Sequence, residues 1–243
     1  KSIQTQKPRE TQKHPEKSPV MSQRIDLVIF DCDGVLVDSE VIANQSFSDY
    51  LISCDIPMSP SEVTAKFVGR ALSSCKTILE DEGYTLPDTF IDDIRVRNLE
   101  ALSHDLDPIP GIYKVLDKII VPVCVASSGI PEKINQSLRL TELSDYFGQN
   151  IFSARQVQHS KPAPDLFLLA AKTMGVPPQN TLIIEDSMVG VEAGIAANMQ
   201  VVGFTGGSHI GPGHGEQLVK LGAHHILENM ENLIDLIETY NGS

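Results

Sequence analysis

Residues 25–40 read IDLVIFDCDGVLVDSE, an apolar run that ends in a group of acids. After Asp26 the run has no polar side chain, which is typical of a strand buried on both faces of a parallel sheet. Gly34 ends this strand, so Asp31 and Asp33 are expected at its carboxyl edge. Open α/β sheets bind their ligands at that edge. The segment therefore predicts both the fold class and the place of a functional site.

A simple turn is the alternative explanation of these acids. Asp and Gly are favoured turn residues, which accounts for Gly34 and Asp38. A turn accounts less well for Asp31, because an acid placed directly after an apolar run loses hydration that a turn does not require it to lose. Two neighbouring acids also repel each other unless a cation or a shared proton compensates. The functional interpretation is favoured for this reason.

The composition limits the classes of protein to consider. The chain has 243 residues, of which 41% are hydrophobic and 21% are charged, enough to bury a substantial core in one or two domains. Its formal net charge of −13 argues against a nucleic-acid partner, because binding to phosphates needs a basic surface. An anionic substrate would need a local concentration of Lys, Arg and backbone N–H groups. The four cysteines form no CxxC pair, so neither a disulfide nor a zinc site is predicted.

Residues 1–20 are rich in charged residues and proline and almost free of apolar residues. This composition predicts a disordered tail or an expression remnant, with Met21 as a natural start. The sequence contains no run of 18 apolar residues and no export or lipidation signal. We therefore expect a cytoplasmic protein without a membrane partner.

The pattern changes from strand to helix after Asp38. Apolar residues recur at helical spacing in three segments, at 40–53, 60–80 and 88–104. This predicts a small all-helical cap over residues 38–107, inserted directly after the first strand. Because it leaves the sheet at the edge that carries the acids, the cap is expected to close over whatever binds there.

From Pro110 onward, strand patterns alternate with helix patterns. Strand candidates lie at 119–126, 151–152, 181–184, 200–204 and 225–227, and a last helix is predicted at 231–240. Alternation of this kind predicts an α/β fold, a Rossmann-like parallel sheet with helices on both faces. Residues 21–37 and 108–243 would form this core.

Two further groups of residues lie where an anion could bind. Ser127, Ser128 and Gly129 follow a predicted strand and would present hydroxyl and N–H groups to an anion, although such residues also cap helices. Lys161 stands on a proline-containing approach to a helix, which would hold its ammonium group in one direction. A lone lysine is by default a surface residue, so its importance depends on the other groups.

A second pair of acids, Glu185 and Asp186, follows another buried strand. Capping of the next helix explains one of these acids comfortably and two less well. Acids from two strand ends, without His or Cys, form an oxygen-rich site that suits Mg²⁺ better than zinc. The sequence therefore predicts a phosphate site beside a magnesium site.

Taken together, these segments resemble the haloacid dehalogenase superfamily of phosphotransferases. Residues 31–38, DCDGVLVD, are similar to the first motif of that family and Ser127 to its second. Lys161 is similar to the third motif, and Glu185 with Asp186 to the fourth. The resemblance covers nearly all of the chain after the tail and includes a helical cap inserted after the first motif. It implies the same α/β fold and phosphoryl-transfer chemistry.

The resemblance implies a role for each matched position. Asp31 would be the nucleophile and Asp33 the general acid and base, with a pKa raised by burial and by acidic neighbours. The phosphate ligands would be Ser127, Ser128, Gly129 and Lys161. The cofactor would be Mg²⁺, held by Asp31, Asp33 through its backbone carbonyl, Glu185 and Asp186.

The resemblance also implies a substrate-binding loop in the cap. Residues 67–70 look like the loop that lies over the leaving group, with Gly69 giving the turn its freedom. Arg70 and Arg97 would bind a carboxylate or a second phosphate on the substrate. An arginine on a solvated helix face is the alternative explanation for both.

The implied function is Mg²⁺-dependent hydrolysis of a small phosphorylated metabolite through an aspartyl-phosphate intermediate, by a monomer or weak homodimer. The substrate would be a sugar phosphate or a sugar-acid phosphate such as phosphogluconate. A phosphomutase of the β-phosphoglucomutase type is the alternative, but Ala43 stands where those mutases carry a histidine. A catalytically silent binding protein is less favoured, because every proposed catalytic position keeps a competent side chain.

Two other patterns are predicted to bind no ligand. Residues 206–216, GGSHIGPGHGE, lack the lysine of a P-loop, so we predict a mobile loop at the rim of the sheet. His224 and His225 are neighbours in a predicted strand and would point to opposite faces, so a shared metal ion is not predicted.

Overall fold

The computed structural model of the chain describes residues 24–67, 70 and 72–242. The predicted tail, residues 1–20, lies outside the described residues, and so does Gly69 of the predicted cap loop. No helix in the described part of the chain is both long enough and apolar enough to cross a membrane. All four cysteines are free thiols, as expected from their spacing.

A six-stranded sheet in the order β3-β2-β1-β4-β5-β6 forms the centre of the molecule, and every neighbouring pair of strands is parallel. The strands are β1 Leu27–Phe30, β2 Val123–Ser127, β3 Ile151–Ser153, β4 Thr181–Glu185, β5 Gln200–Phe204 and β6 His225–Leu227. The predicted fold class is confirmed. The chain order reverses on either side of β1, so β1 and β4 are neighbours at the point where doubly wound sheets bind ligands.

Four helices follow β1 before the chain returns to the sheet: α1 Glu40–Ser53, α2 Pro60–Phe67, α3 Leu72–Asp81 and α4 Phe90–Asp105. They share a hydrophobic cluster separate from the two clusters of the sheet. Phe90 lies at its centre, with its ring edge-on to those of Phe47 and Tyr50. These helices therefore have a core of their own, which we call the cap core.

The two segments that join the cap helices to the sheet lie side by side. The Asp38 N–H donates to the carbonyl of Asp107 at 2.9 Å, and the Ile109 N–H donates to the carbonyl of Leu36 at 2.9 Å. This pairing fixes where the cap helices begin and end relative to the acids after β1.

In the described part of the chain, seven helices pack on the sheet: α5 Ile112–Lys118, α6 Pro131–Leu140, α7 Ser144–Phe147, α8 Asp165–Met174, α9 Met188–Ala196, α10 His214–Lys220 and α11 Leu233–Asn241. Side chains alternate along β1, so Val28 and Phe30 join one hydrophobic cluster while Leu27 and Ile29 join the other. All four residues are fully buried. The apolar run after Asp26 is explained by this burial on both faces.

Three sequence-based boundaries were wrong. The predicted helix over 60–80 is two helices, α2 and α3. The predicted strand over 119–126 begins only at Val123, because β1 is too short to pair with the residues before it, and Ile120 is 95% exposed. Helix α10 begins at His214, inside the segment predicted to be a loop.

The cap core predicts that two residues on different faces of α4 contribute differently to the stability of the protein. Ile94 of α4 is 1% exposed in the cap core, whereas Val96 of the same helix is 63% exposed. Replacing Ile94 with Ala should lower the free energy of unfolding by about 2–5 kcal/mol, because it removes buried methyl groups and leaves a cavity. Val96→Ala should change it by less than about 0.5 kcal/mol. Urea unfolding followed by circular dichroism measures both, and equal losses would contradict the packing described.

Candidate active site

The predicted site residues from four separate segments meet at the carboxyl edge of the sheet. Asp31 follows β1, Ser127 ends β2, Glu185 ends β4 and Asp186 follows it. Lys161 precedes α8 and reaches the same point. A cavity of about 520 Å³ between this edge and the cap helices is lined by Asp31, Asp33, Ser127, Ser128, Gly129, Lys161 and Asp186, among other residues.

Lys161 is the cation at the centre of this site. Its Nζ atom donates to Asp31 Oδ1 at 2.9 Å, to Glu185 Oε2 at 2.7 Å and to the carbonyl of Ala126 at 3.1 Å. The side chain is only 2% exposed. Burial by itself would lower the pKa of Lys161, but the carboxylates of Asp31 and Glu185 raise it above its usual value. The ammonium is therefore held charged and pointing in one direction.

Three buried carboxylates surround this ammonium group. Asp31, Glu185 and Asp186 each place an oxygen within 4.8 Å of the others. Burial, and then the charge of Glu185, raises the pKa of both Asp31 and Asp186 well above the usual value. One lysine does not balance three carboxylates, so a cation bound among them would relieve both the burial and the repulsion. The donor atoms are all oxygens, which fits a hard divalent ion such as Mg²⁺.

Two glycines make room for these carboxylates. A Cβ atom on Gly190 of α9 would lie 1.9 Å from the carboxyl carbon of Glu185, and one on Gly34 would lie 2.2 Å from Asp186 Oδ2. Gly34 also has a φ of +75°, which side-chain-bearing residues rarely adopt. On its other side, Glu185 Oε1 accepts from the N–H and the hydroxyl of Ser187 at 3.0 and 2.8 Å. The side chains of Glu185 and Asp186 thus pack directly against the backbone at Gly190 and Gly34.

Asp33 has a different environment from Asp31. Its Oδ1 atom accepts from the Ser39 hydroxyl at 2.5 Å and lies 2.8 Å from Lys133 Nζ. Burial would raise the pKa of Asp33, but the charge of Lys133 and the hydrogen bonds from Lys133 and Ser39 outweigh it and lower the pKa. The expectation of a raised pKa was wrong, because it took account of burial and of the acidic neighbours but not of Lys133, which α6 brings next to Asp33.

Three basic residues at this site were missed by the sequence analysis. Lys133 lies in the first turn of α6, directly after the predicted phosphate-binding turn. His209 Nε2 lies 2.8 Å from Asp186 Oδ2, and His214 Nε2 lies 2.6 Å from the Asp186 carbonyl. The segment 206–216 does lie at the sheet edge, but its histidines reach the acid cluster. The signal that could have found them is their position after β5, another strand that ends at this edge.

The turn between β2 and α6 lies at the edge of the same cavity. Ser127 is 1% exposed, and its Oγ accepts from the N–H of Gly129 at 3.0 Å. Ser128 and Gly129 line the cavity beside it. The turn therefore presents small polar groups to the same space as Lys161.

The structure separates the two predicted cap arginines. Arg70 lines the cavity, and its Nε donates to the carbonyl of Lys66 at 3.1 Å. Arg97 is not among the residues that line the cavity, and its guanidinium carbon lies 5.1 Å from the centre of the Tyr50 ring. Arg95, two residues earlier on α4, does line the cavity. Of the two predicted cap arginines, only Arg70 therefore lines the cavity, and Arg95 lines it as well.

Comparison with known proteins places the chain in a family. The model of the family "Haloacid dehalogenase-like hydrolase" matches residues 28–204. The 6-phosphogluconate phosphatase of Escherichia coli (strain K12) is 35% identical over 191 residues, which are 78% of this chain and 86% of that protein. This chain therefore belongs to the haloacid dehalogenase-like hydrolase family. The family prediction is confirmed, and with it the expectation of a hydrolase of the phosphatase class.

Solved structures agree with this relationship. A conserved haloacid dehalogenase-like protein from Agrobacterium tumefaciens str. C58 has a TM-score of 0.81 at 34% identity, covering 88% of this chain and 98% of that one. A HAD family hydrolase from Deinococcus radiodurans R1, solved with bound phosphate and sodium, has a TM-score of 0.75 at 28% identity, covering 90% of this chain and 97% of that one.

The buried ion pairs predict a large effect of removing Lys161. Lys161→Met should lower the free energy of unfolding by about 3–5 kcal/mol, because it leaves the carboxylates of Asp31 and Glu185 buried without their cation. Lys66→Met, which removes the ion pair between Lys66 and the exposed Glu82, should cost less than about 1 kcal/mol. Urea unfolding at pH 7 compares the two variants. A loss at Lys161 no larger than that at Lys66 would contradict the description of a buried cation.

Proposed function

We propose that this member of the haloacid dehalogenase-like hydrolase family is a Mg²⁺-dependent phosphatase that hydrolyses a small phosphorylated sugar or sugar acid through a phosphoryl group carried on Asp31. The observation that carries the proposal is the placement of a buried ammonium group, Lys161, between carboxylates at the edge of the cavity. The name of the 35% identical relative supports a sugar-acid phosphate as the substrate.

The residues that would hold Mg²⁺ are Asp31, Glu185 and Asp186, with the backbone carbonyl of Asp33 as a further oxygen. Bound there, Mg²⁺ supplies positive charge that lowers the repulsion between a carboxylate nucleophile and the phosphoryl oxygens. The raised pKa values of Asp31 and Asp186 support this assignment, because a bound cation would stabilise the charged forms of both carboxylates.

Lys161 and the turn after β2 would bind the phosphoryl oxygens. The Lys161 ammonium group already bonds Asp31 Oδ1, so a phosphoryl oxygen beside it would lie next to the nucleophile. Ser127, Ser128 and Gly129 line the same cavity, and a phosphoryl oxygen there could accept from the hydroxyls of the two serines. Positioning and charge neutralisation of this kind supply most of the catalysis in phosphoryl transfer.

The reaction requires two proton transfers, which we assign to Asp33. In the first step an oxygen of Asp31 bonds to phosphorus, the ester P–O bond breaks, and protonated Asp33 gives its proton to the leaving oxygen. In the second step Asp33, now a carboxylate, takes a proton from water, which attacks phosphorus and releases phosphate and free Asp31. The ion pair with Lys133 favours the carboxylate form, so the first step needs this pair to loosen when substrate binds.

The alternatives gain no support from the site. Ala43 lines the cavity where the mutases carry a histidine, and a methyl group exchanges no proton with Asp33. A silent binding protein would not need a nucleophile, an acid and a cation at one buried point. We extend the proposal to a monomer or weak homodimer located in the cytoplasm.

The nucleophile assignment predicts the effect of one substitution. Asp31→Asn should reduce phosphate release from 6-phosphogluconate by about 10⁴-fold or more, because an amide does not attack phosphorus. Asp49→Asn, at an exposed position on α1, is the matched control and should keep full activity. Phosphate release in the presence of Mg²⁺ measures both. A variant at Asp31 that stays folded and keeps its activity would exclude the proposed role.

The metal assignment predicts Mg²⁺ binding, which can be measured without an activity assay. Isothermal titration calorimetry with Mg²⁺ should show one site in the unaltered protein and none in Asp186→Asn, since one of three clustered ligands is lost. Asp145→Asn, remote from the acid cluster on α7, should bind as the unaltered protein does. A chelator should abolish phosphate release. Full activity in chelator, or unchanged binding by the variant at Asp186, would contradict the assignment.

A further inference from the structure

Arginine is concentrated at the cavity although the chain as a whole is acidic. Three of the seven arginines, Arg70, Arg95 and Arg155, line the cavity in a protein of net charge −13. Arg70 and Arg95 come from the cap side, and Arg155 lies in the short turn Ala154–Gln156 after β3. The three arginines therefore come from both walls of the cavity, two from the cap wall and one from the sheet wall.

These arginines are additional to the cations that the phosphoryl group would use. Lys161 is already paired with Asp31 and Glu185, and Lys133 with Asp33. Among the residues that the structure describes, neither Arg70 nor Arg155 has a carboxylate within 4.0 Å.

Arg95 is only weakly paired. Its NH1 atom lies 3.1 Å from Asp92 Oδ1, but the Asp92 side chain is 79% exposed. A surface pair of this kind is easily exchanged for another anion.

Two asparagines of the cap add a second and independent observation. Asn44 of α1 and Asn98 of α4 both line the cavity. Asn44 Nδ2 and Asn98 Oδ1 are buried, and neither has a hydrogen-bond partner in the part of the chain that the structure describes. Asn44 as a whole is 9% exposed. One atom is a donor and the other an acceptor, and buried polar groups are rarely left without a partner, so a molecule bound in the cavity could supply the missing hydrogen bonds.

A hydroxyl group can hydrogen-bond to both asparagines, because it accepts from an amide N–H and donates to an amide oxygen. A carboxylate or phosphate group can bind the arginines, because its oxygens match the planar arrangement of the guanidinium N–H groups. A substrate that carries hydroxyl groups along its chain and an anion at the far end from the phosphoryl group would satisfy both sets at once.

We infer that the cavity contains an anion subsite formed by Arg95 and Arg155, with Arg70 beside it, and a hydroxyl subsite formed by Asn44 and Asn98. The subsites select phosphorylated polyhydroxy compounds with a second anionic group. The inference rests on the proposed phosphatase function, which supplies the phosphoryl end.

A matched series of six-carbon substrates tests the anion subsite. 6-Phosphogluconate carries a carboxylate at the far end, sorbitol 1,6-bisphosphate a second phosphate, and sorbitol 6-phosphate only a hydroxyl group. The unaltered enzyme should prefer one of the two doubly anionic compounds to sorbitol 6-phosphate by about 10-fold or more in kcat/KM, as expected for a charge-assisted pair. Which of the two is preferred identifies the second anion as carboxylate or phosphate.

The variants Arg95→Gln and Arg155→Gln should each lower kcat/KM for the preferred substrate by about 10- to 100-fold, mainly through KM. Neither variant should change kcat/KM for sorbitol 6-phosphate by more than about 3-fold. Arg97→Gln is the matched control, since Arg97 lies on the same helix against Tyr50, and it should change neither value. For the hydroxyl subsite, Asn98→Ala should weaken all three six-carbon substrates and spare p-nitrophenyl phosphate, which has no hydroxyl chain.

Failure of the inference is distinct from failure of the proposed function. Equal kcat/KM for sorbitol 6-phosphate and both doubly anionic compounds would overturn the subsite and leave the phosphatase intact. So would equal losses in Arg95→Gln and Arg97→Gln. If no compound is hydrolysed, p-nitrophenyl phosphate included, the proposed function fails and the inference fails with it.

Discussion

The repulsion among three buried carboxylates is the constraint on which the site depends. Asp31, Glu185 and Asp186 lie within 4.8 Å of one another, and the single ammonium group of Lys161 contacts two of them. In a buried position such a cluster is stable only with compensating charge. Lys161 supplies part of that charge, and under the proposed function a bound divalent cation would supply the remainder. The arrangement that makes the site costly is therefore the same one that prepares it for metal and phosphoryl groups.

The fold explains how residues far apart in sequence come to share this point. Parallel strands end at one edge, so whatever follows β1, β2 and β4 lies together. The cap helices leave directly after β1 and return beside it, which covers the same edge with a second wall. The sheet wall provides the acids and the lysine, and the cap wall provides Asn44, Asn98 and Arg95.

Much of this could be predicted from the sequence, because strand ends are visible in the pattern of apolar runs. The run before Asp31 and the run before Glu185 predicted both the sheet and the acid cluster. Contacts that depend on helix rotation were not visible. Arg95 and Arg97 are separated by about 200° around α4, and no motif tells which one faces the cavity. Likewise the pKa of Asp33 depends on Lys133, whose direction is set only when α6 packs on the sheet.

A crystal structure of the protein with Mg²⁺ and orthovanadate tests the central claim most directly, because vanadate mimics the phosphoryl group in transfer. We expect vanadium bonded to an oxygen of Asp31, vanadate oxygens in contact with Lys161 and Ser127, and Mg²⁺ bound to Asp186. Vanadate bound elsewhere in the cavity, or bound with Asp31 and Lys161 still paired only to each other, would contradict it.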